Sequence, residues 1–109
     1  MALTFRADRP IEGRAKVEKV LIAGLEKYAA THHHLSNISI SLSGDTAQVT
    51  SYIYAWHRHI DPDESDFHLF GEYHDTWRRN PDGWLCAERT LLSAGAIPPR
   101  DDLGGIGRE

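Results

Sequence analysis

The segment Thr31-His32-His33-His34-Leu35-Ser36-Asn37 stands where a helical pattern of apolar residues gives way to a strand-like one. A second histidine pair, His57 and His59, lies at the end of the next strand-like stretch. Imidazole is the one side chain whose unperturbed pKa lets it gain and lose a proton near neutral pH. Two strands that each carry histidines near one end would therefore direct two proton-transfer groups into a common cavity.

An amphipathic helix is predicted before this segment, over residues 11–30. Apolar residues recur there at steps of three and four, which is the spacing of one helical face. Pro10 precedes the helix, and Glu12 stands in its first turn, where the helix dipole favours an anion. The predicted apolar stripe consists of Val17, Val20, Leu21, Leu25, Tyr28 and Ala29.

Four long strand-like stretches follow the helix, and a short one opens the chain at residues 2–6. Strands of this length twist and curl, and a curled sheet that packs against a helix encloses a pocket. The predicted fold is therefore α+β, a curved antiparallel sheet (a cone) packed against a long helix. We expect one domain over residues 1–95, followed by a Gly- and Pro-rich tail, and no regular structure from residue 93 onward. The long strands are predicted at residues 33–42, 46–59, 67–79 and 84–92, with turns at 43–45 and 80–83.

Strict alternation of side chains creates a conflict in the first long strand. If His33 faces the pocket, the apolar residues that follow Asn37 would point away from it. A one-residue bulge near Ser36 or Asn37 would return them to the pocket side, and we predict such a bulge. The residues concerned are Ile38, Ile40 and Leu42.

Aromatic residues in the second long strand form a possible interface. Alternation in this strand places three of them on the face opposite to His57, where they would make an exposed apolar strip. Such a strip favours a partner sheet, and we expect a homodimer or a higher homo-oligomer through this outer face. The three residues are Tyr52, Tyr54 and Trp56.

Composition and charge exclude several classes of protein. The 109 residues are 40% hydrophobic and 26% charged, which is typical of one globular domain and not of a disordered chain. The net charge is −4, and Arg78-Arg79 is too short a basic run to bind nucleic acid. We find no leader and no apolar run of the roughly 20 residues that a membrane span needs. Together with the single Cys86, this predicts a cytoplasmic protein without a membrane partner.

A metal site is the alternative to the proton-transfer interpretation of these histidines. His32 and His34 share one strand face, as do His57 and His59, and strand-borne metal sites use this spacing. If His33 and His57 share the pocket, however, His32 and His34 point away from it. We therefore expect no metal and no cofactor.

The order of motifs resembles the SnoaL-like branch of the nuclear transport factor 2-like superfamily. The similarity covers roughly residues 10–95 and is closest to the group that includes scytalone dehydratase and hexachlorocyclohexane dehydrochlorinase. It rests on an ordered set: T-H-H-H-L-S-N at 31–37, G-D-T-A at 44–47, G-E-Y-H-D-T-W at 71–77 and P-D-G-W-L-C-A-E-R at 81–89. The set is fairly specific for the fold and weakly specific for the activity.

The resemblance implies a set of site residues. In that group the central histidine of the T-x-H segment is the general base, and His33 occupies this position. In scytalone dehydratase a second histidine near the end of the following strand helps to hold and polarise the substrate, and the position that looks equivalent is His57. The next strand supplies the pocket floor, so Tyr73 and Trp77 are expected to bind substrate. Arg79 is the loose match to an arginine that assists the dehydrochlorinase.

One departure from the family pattern concerns the start of the chain. In relatives, helices before the first strand carry an aspartate that orients the base and a substrate-binding tyrosine. This chain is expected to lack them, because it starts at about the first strand. A histidine base without an orienting carboxylate loses control of its tautomer. Asp75 is the best internal candidate for that carboxylate, and it completes the predicted catalytic set.

Two hypotheses for function follow. The first is a small-molecule-binding protein of SnoaL-like type, a dehydratase, isomerase or other lyase in which His33 abstracts a proton. In this hypothesis His57 and Tyr73 would hydrogen-bond the oxyanion that develops. The second is a non-catalytic binding or oligomerisation module that keeps a truncated cone.

Overall fold

The computed structural model describes residues 1–4 and 10–100, which form one helix and a six-stranded sheet. The order of strands across the sheet is β2-β1-β6-β5-β4-β3, and all neighbours are antiparallel except β1 and β6. The elements are β1 Ala2–Thr4, β2 Ile11–Glu12, α1 Arg14–Leu25, β3 Tyr28–Ser43, β4 Thr46–His59, β5 Phe67–Asn80 and β6 Gly83–Ile97. The predicted α+β class and the antiparallel meander of four long strands are confirmed.

The helix is shorter than predicted at both ends. Ile11 and Glu12 pair with β1 instead of opening the helix, and Tyr28 pairs with His59 as the first residue of β3. Backbone pairing to a long β4 overrides the helical spacing of the apolar residues there. The helix contacts β1 and β2, and Val17 is the residue it buries, at 2% exposure. The rest of the predicted apolar stripe within the helix is partly exposed: Val20, Leu21 and Leu25.

The last strand is longer than predicted. Residues after 92 continue to pair with β5 as far as Ile97, opposite His68. The extension includes a register shift between Phe70 and Gly71, where Ser93 and Gly95 are consecutive partners and Ala94 is the extra residue. The expectation of an irregular segment from residue 93 is therefore wrong, because a bulge lets β6 keep pairing with β5. Residues 5 and 6 of the predicted first strand, and the tail beyond residue 100, lie outside the described residues.

We call inner face the side of the sheet that carries alternate residues of β4 from Ala47 to His57, and outer face the opposite side. The inner face holds the apolar core of the molecule, which residues of β4, β5 and β6 form. Gly71 belongs to this face, and a Cβ added there would lie 2.5 Å from the backbone oxygen of Leu92. Only glycine fits at that point of the β5–β6 pair. The core consists of Ile53, Ala55, Phe67, Leu69 and Leu91.

The predicted bulge in β3 is confirmed. The pairing of β3 with β4 shifts between Ser36 and Ser39, and Asn37 has a φ of 53°. Asparagine tolerates this left-handed conformation better than most residues other than glycine. The shift places Ile40 opposite Val49, so the apolar residues after the bulge share the face of Leu35.

The outer face carries the predicted aromatic strip. Tyr52 is 52% exposed, whereas Tyr54 and Trp56 are half-buried and hydrogen-bonded. The Tyr54 hydroxyl lies 2.7 Å from His68 Nδ1, and Trp56 Nε1 donates to Asp66 over 3.0 Å. These bonds fix two of the three aromatic rings on the sheet. In the described part of the chain, no helix is long and apolar enough to cross a membrane.

Candidate active site

His33 and His57 meet on the inner face. His33 is paired with Ala55 across β3 and β4, and His57 is paired with Thr31 on one side and Phe67 on the other. The two imidazole rings have centroids 5.4 Å apart and stand edge to face. His57 is 7% exposed, and His33 keeps more of its surface in solvent. The convergence that the sequence predicted for these two rings is present.

The flanking histidines of the same segment lie on the outer face, as strand alternation requires. His32 is paired with Trp56 and His34 with Tyr54, and their rings contact those aromatic rings. Their side chains are therefore separated from His33 by the sheet. Within residues 1–4 and 10–100, no group of three His, Cys, Asp or Glu side chains is placed to hold a metal ion.

The hydrogen bond of His57 determines where its proton sits. Nδ1 of His57 lies 3.1 Å from the carbonyl oxygen of Phe67. A carbonyl oxygen can only accept, so Nδ1 carries the hydrogen and donates it. In the neutral ring Nε2 is then a lone-pair acceptor. His57 accordingly presents a proton-accepting nitrogen, whereas the sequence-based hypothesis required it to donate to an oxyanion.

Both imidazoles are biased toward the neutral form. Burial lowers the pKa of His57 below its ordinary value of 6.5, against the opposing effect of the bond to Phe67. Partial burial also lowers the pKa of His33, with a smaller contribution from His34. Burial acts in this direction because it disfavours the charged ring. At neutral pH each ring is therefore ready to accept a proton.

These lowered pKa values predict that the folded protein loses stability in mild acid. The unfolded chain, with histidine pKa values near 6.5, takes up protons before the folded protein as the pH falls. The free energy of unfolding should therefore decrease as the pH falls from about 7 through the lowered pKa values of His33 and His57. Urea unfolding curves recorded along this pH range measure how steeply the free energy of unfolding changes with pH.

The matched comparison for this slope is the double variant His33→Gln/His57→Gln. It should show a shallower loss of stability over the same pH range, because glutamine does not titrate. An equal slope in the two proteins would mean that these rings do not drive the acid sensitivity.

Asp75 is bound to Arg89 and not to His33. Its two oxygens accept from Nε and Nη2 of Arg89, each over 2.9 Å, and the Trp77 indole donates to one of them over 3.3 Å. Asp75 is paired with Val49 of β4, whereas His33 is paired with Ala55 of the same strand. Val49 and Ala55 are six residues apart, which corresponds to about 20 Å along the strand. Asp75 therefore cannot orient His33, and no carboxylate among the described residues is bonded to that ring.

Arg89 is the site residue that the sequence analysis missed. Its side chain is 27% exposed, while that of Asp75 is 3% exposed, so the ion pair lies at the boundary of the core. The guanidinium also lies over the Tyr73 ring, 4.0 Å from its centroid. Burial raises the pKa of Tyr73, which keeps its hydroxyl protonated and able to donate.

An open cavity of about 460 Å³ lies on the inner face beside the histidine pair. It begins at Leu35, two residues from His33 on the same face, and extends toward the β3–β4 turn. Trp77, Arg79 and Arg89 line it, whereas Tyr73 and the two histidines are not among its described lining residues. Its apolar wall in β3 is Leu35, Ile38, Ile40 and Leu42.

Comparison with protein families gives one match that covers most of the chain. A family model described as a SnoaL-like domain matches residues 2–90. No protein with a curated description matches the sequence.

Solved structures share the fold over most of their length. A protein from Novosphingobium aromaticivorans DSM 12444, provisionally named scytalone dehydratase, is 27% identical with a TM-score of 0.87, and the match covers 99% of this chain and 73% of that one. A type 2 hexachlorocyclohexane dehydrochlorinase is 12% identical with a TM-score of 0.75, covering 98% and 72%. A provisionally named dehydratase of the NTF2-like family from Streptomyces avermitilis is 20% identical with a TM-score of 0.73, covering 84% and 65%. The last two are similar in fold alone.

Proposed function

Because this chain belongs to the SnoaL-like domain family, we propose that it binds a small molecule on the inner face of its sheet and acts on it as a lyase of the dehydratase type. The similarity to the provisionally named scytalone dehydratase, at 27% identity over nearly the whole chain, supports this class of reaction. The dehydrochlorinase that shares the fold also carries the name of an elimination enzyme.

One observation carries the proposal: two imidazoles with lowered pKa values meet on the inner face, beside a cavity of small-molecule size. A neutral imidazole is a suitable general base at neutral pH. A histidine pair of this kind, without an ion pair to any described residue, favours proton transfer over structural support.

In the proposed reaction His33 removes a proton from a carbon next to a carbonyl group. The electron pair released forms a carbon–carbon double bond as the carbon–oxygen bond to the neighbouring hydroxyl breaks, and the departing hydroxyl takes up the proton from His33 and leaves as water. The protonated Tyr73 hydroxyl is the proposed donor to the oxyanion. His57, which is fixed by Phe67, accepts a hydrogen bond from the substrate through Nε2. Trp77 and Arg79 line the end of the cavity toward the β3–β4 turn and contact the far end of a ligand that extends along this face.

A substrate screen tests this function. We expect at least one member of a panel of β-hydroxy ketones to be dehydrated, because such compounds combine an acidic C–H with a leaving hydroxyl. The appearance of a conjugated enone in the absorbance spectrum measures the reaction. Buffer and heat-denatured protein are the controls, and a panel without any enzyme-dependent enone would contradict the dehydratase proposal.

The alternative is a binding or oligomerisation module without catalysis. It is favoured by the position of Asp75, whose two oxygens are engaged by Arg89 and leave His33 without an orienting carboxylate among the described residues. In this case a second copy is the proposed partner of the outer face, at the strip that contains Tyr52. Ligand binding without turnover, in a protein that sediments as a dimer, would support this alternative over the lyase.

A further inference from the structure

The charged groups that line the cavity do not cancel. Asp75, Arg79 and Arg89 are the ionisable residues of its wall among those described. Asp75 and Arg89 neutralise one another through a two-pronged hydrogen-bonded pair. One positive charge, that of Arg79, therefore remains on a wall that is otherwise mainly apolar.

Among the described residues, carboxylates compensate little of the charge of Arg79. Its Nε lies 3.9 Å from Asp45 Oδ1, beyond hydrogen-bond distance, and the two side chains are 56% and 81% exposed. A pair that is this long and this solvated contributes little. No described residue is hydrogen-bonded to the two terminal nitrogens of the guanidinium, so within the described part of the chain they are available to a ligand.

The indole of Trp84 holds the guanidinium in place. The central carbon of Arg79 lies 5.0 Å from the centroid of the Trp84 ring, and both residues line the cavity. A guanidinium over an aromatic face is attracted to the ring and keeps its planar edge free. That edge matches the geometry of a carboxylate.

We propose that Arg79 and Trp84 form an anion subsite, and that the cavity selects ligands with an apolar body and a single carboxylate. The inference rests on the proposed ligand-binding function of the cavity and names the class of ligand. The apolar body contacts the β3 wall at Ile38, Ile40 and Leu42, while the carboxylate meets Arg79. Net positive charge in the cavity disfavours cationic ligands by the same argument.

The test compares two probes of the same shape, 1-naphthaleneacetate and 1-naphthaleneacetamide, by isothermal titration calorimetry. We expect the acid to bind about five- to tenfold more tightly than the amide, as one solvent-accessible charge-assisted pair would give. The preference should shrink in 1 M NaCl, because salt screens an exposed charge pair. Arg79→Gln should remove the preference, because it weakens binding of the acid more than binding of the amide.

Arg78→Gln is the matched control, because alternation places Arg78 on the outer face next to Arg79. It should retain the preference for the acid. Equal affinity for the two probes in the unmodified protein, or a preference that survives Arg79→Gln, would overturn the anion subsite and leave the proposed cavity intact. Binding of neither probe would overturn the cavity as a ligand site, and the subsite with it.

Discussion

Glutamine in place of His33 is expected to lower the rate of turnover at least about a hundredfold, because a positioned general base contributes roughly 10²- to 10⁴-fold. Glutamine keeps a polar side chain on the inner face but cannot accept a proton at neutral pH. The affinity for ligand should change much less than the rate, because glutamine keeps a polar side chain of similar size at this position. Rates with any ketone found in the substrate screen, together with calorimetric affinities, measure the two effects separately.

The same segment supplies the matched controls. His32→Gln and His34→Gln remove imidazoles one residue to either side, but both rings lie on the outer face against Trp56 and Tyr54. These variants should retain turnover within about twofold, because they do not reach the proposed site. Turnover that survives in His33→Gln, or that falls equally in all three variants, would reject His33 as the base.

Asp75→Ala is expected to reduce the free energy of unfolding by about 3 kcal/mol, because it leaves Arg89 without its partner at the edge of the core. This is the lower end of the range for breaking a buried ion pair, since Arg89 is 27% exposed and the cavity lets water reach it. Domains of this kind are stable by only about 5–15 kcal/mol in total. Urea unfolding should therefore show a large shift of the midpoint.

The double variant Asp75→Leu/Arg89→Met distinguishes the contribution of the two charges from the contribution of side-chain packing. Removing both charges together should restore most of the lost stability, because no buried charge is left unpaired. A loss below about 1 kcal/mol in Asp75→Ala would mean that solvent compensates Arg89 fully. A double variant as unstable as the single one would indicate that packing, and not charge, explains the effect.

Local rules predicted much of the histidine segment from the sequence. The family resemblance pointed to His33 and His57 as the facing pair. A conflict between strand alternation and the apolar residues after Asn37 predicted the bulge, and alternation predicted that His32 and His34 point away from His33. Both arguments need only neighbouring residues and the two-residue period of a strand. The catalytic roles of His33 and His57 stay predictions that the proposed assays test.

The Asp75–Arg89 pair could not be predicted by counting residue pairs along β5 and β6 from the turn that connects them. If Asn80 is paired with Gly83 and the strands run in strict register, Asp75 falls opposite Glu88. The observed pairing shifts between Thr76 and Trp77 and brings Arg89 opposite Asp75 instead. The local sequence does not predict this register shift, because the pairing of all strands in the sheet determines it.

The helix was mispredicted for a related reason. Tyr28 continues the apolar spacing of the residues before it, yet it is paired with His59 and packs against the core. Periodicity describes one element at a time, whereas the long β4 strand determines how far β3 extends. The ends of elements therefore depend on pairing partners that are distant in sequence.

The irregular backbone at Asn37 is also expected to hinder the pairing of other protein chains with the edge of the sheet. β3 is the last strand of the sheet and is 16 residues long, so its outer hydrogen-bonding groups form a template that another chain could extend. A straight, apolar edge strand of this length would favour the addition of further strands and the growth of fibrils. The kink interrupts the template midway, at the point where the exposed Ile38 begins the apolar half of the strand. The left-handed conformation of Asn37 is therefore expected to oppose edge-to-edge pairing, in addition to turning the apolar residues to the inner face.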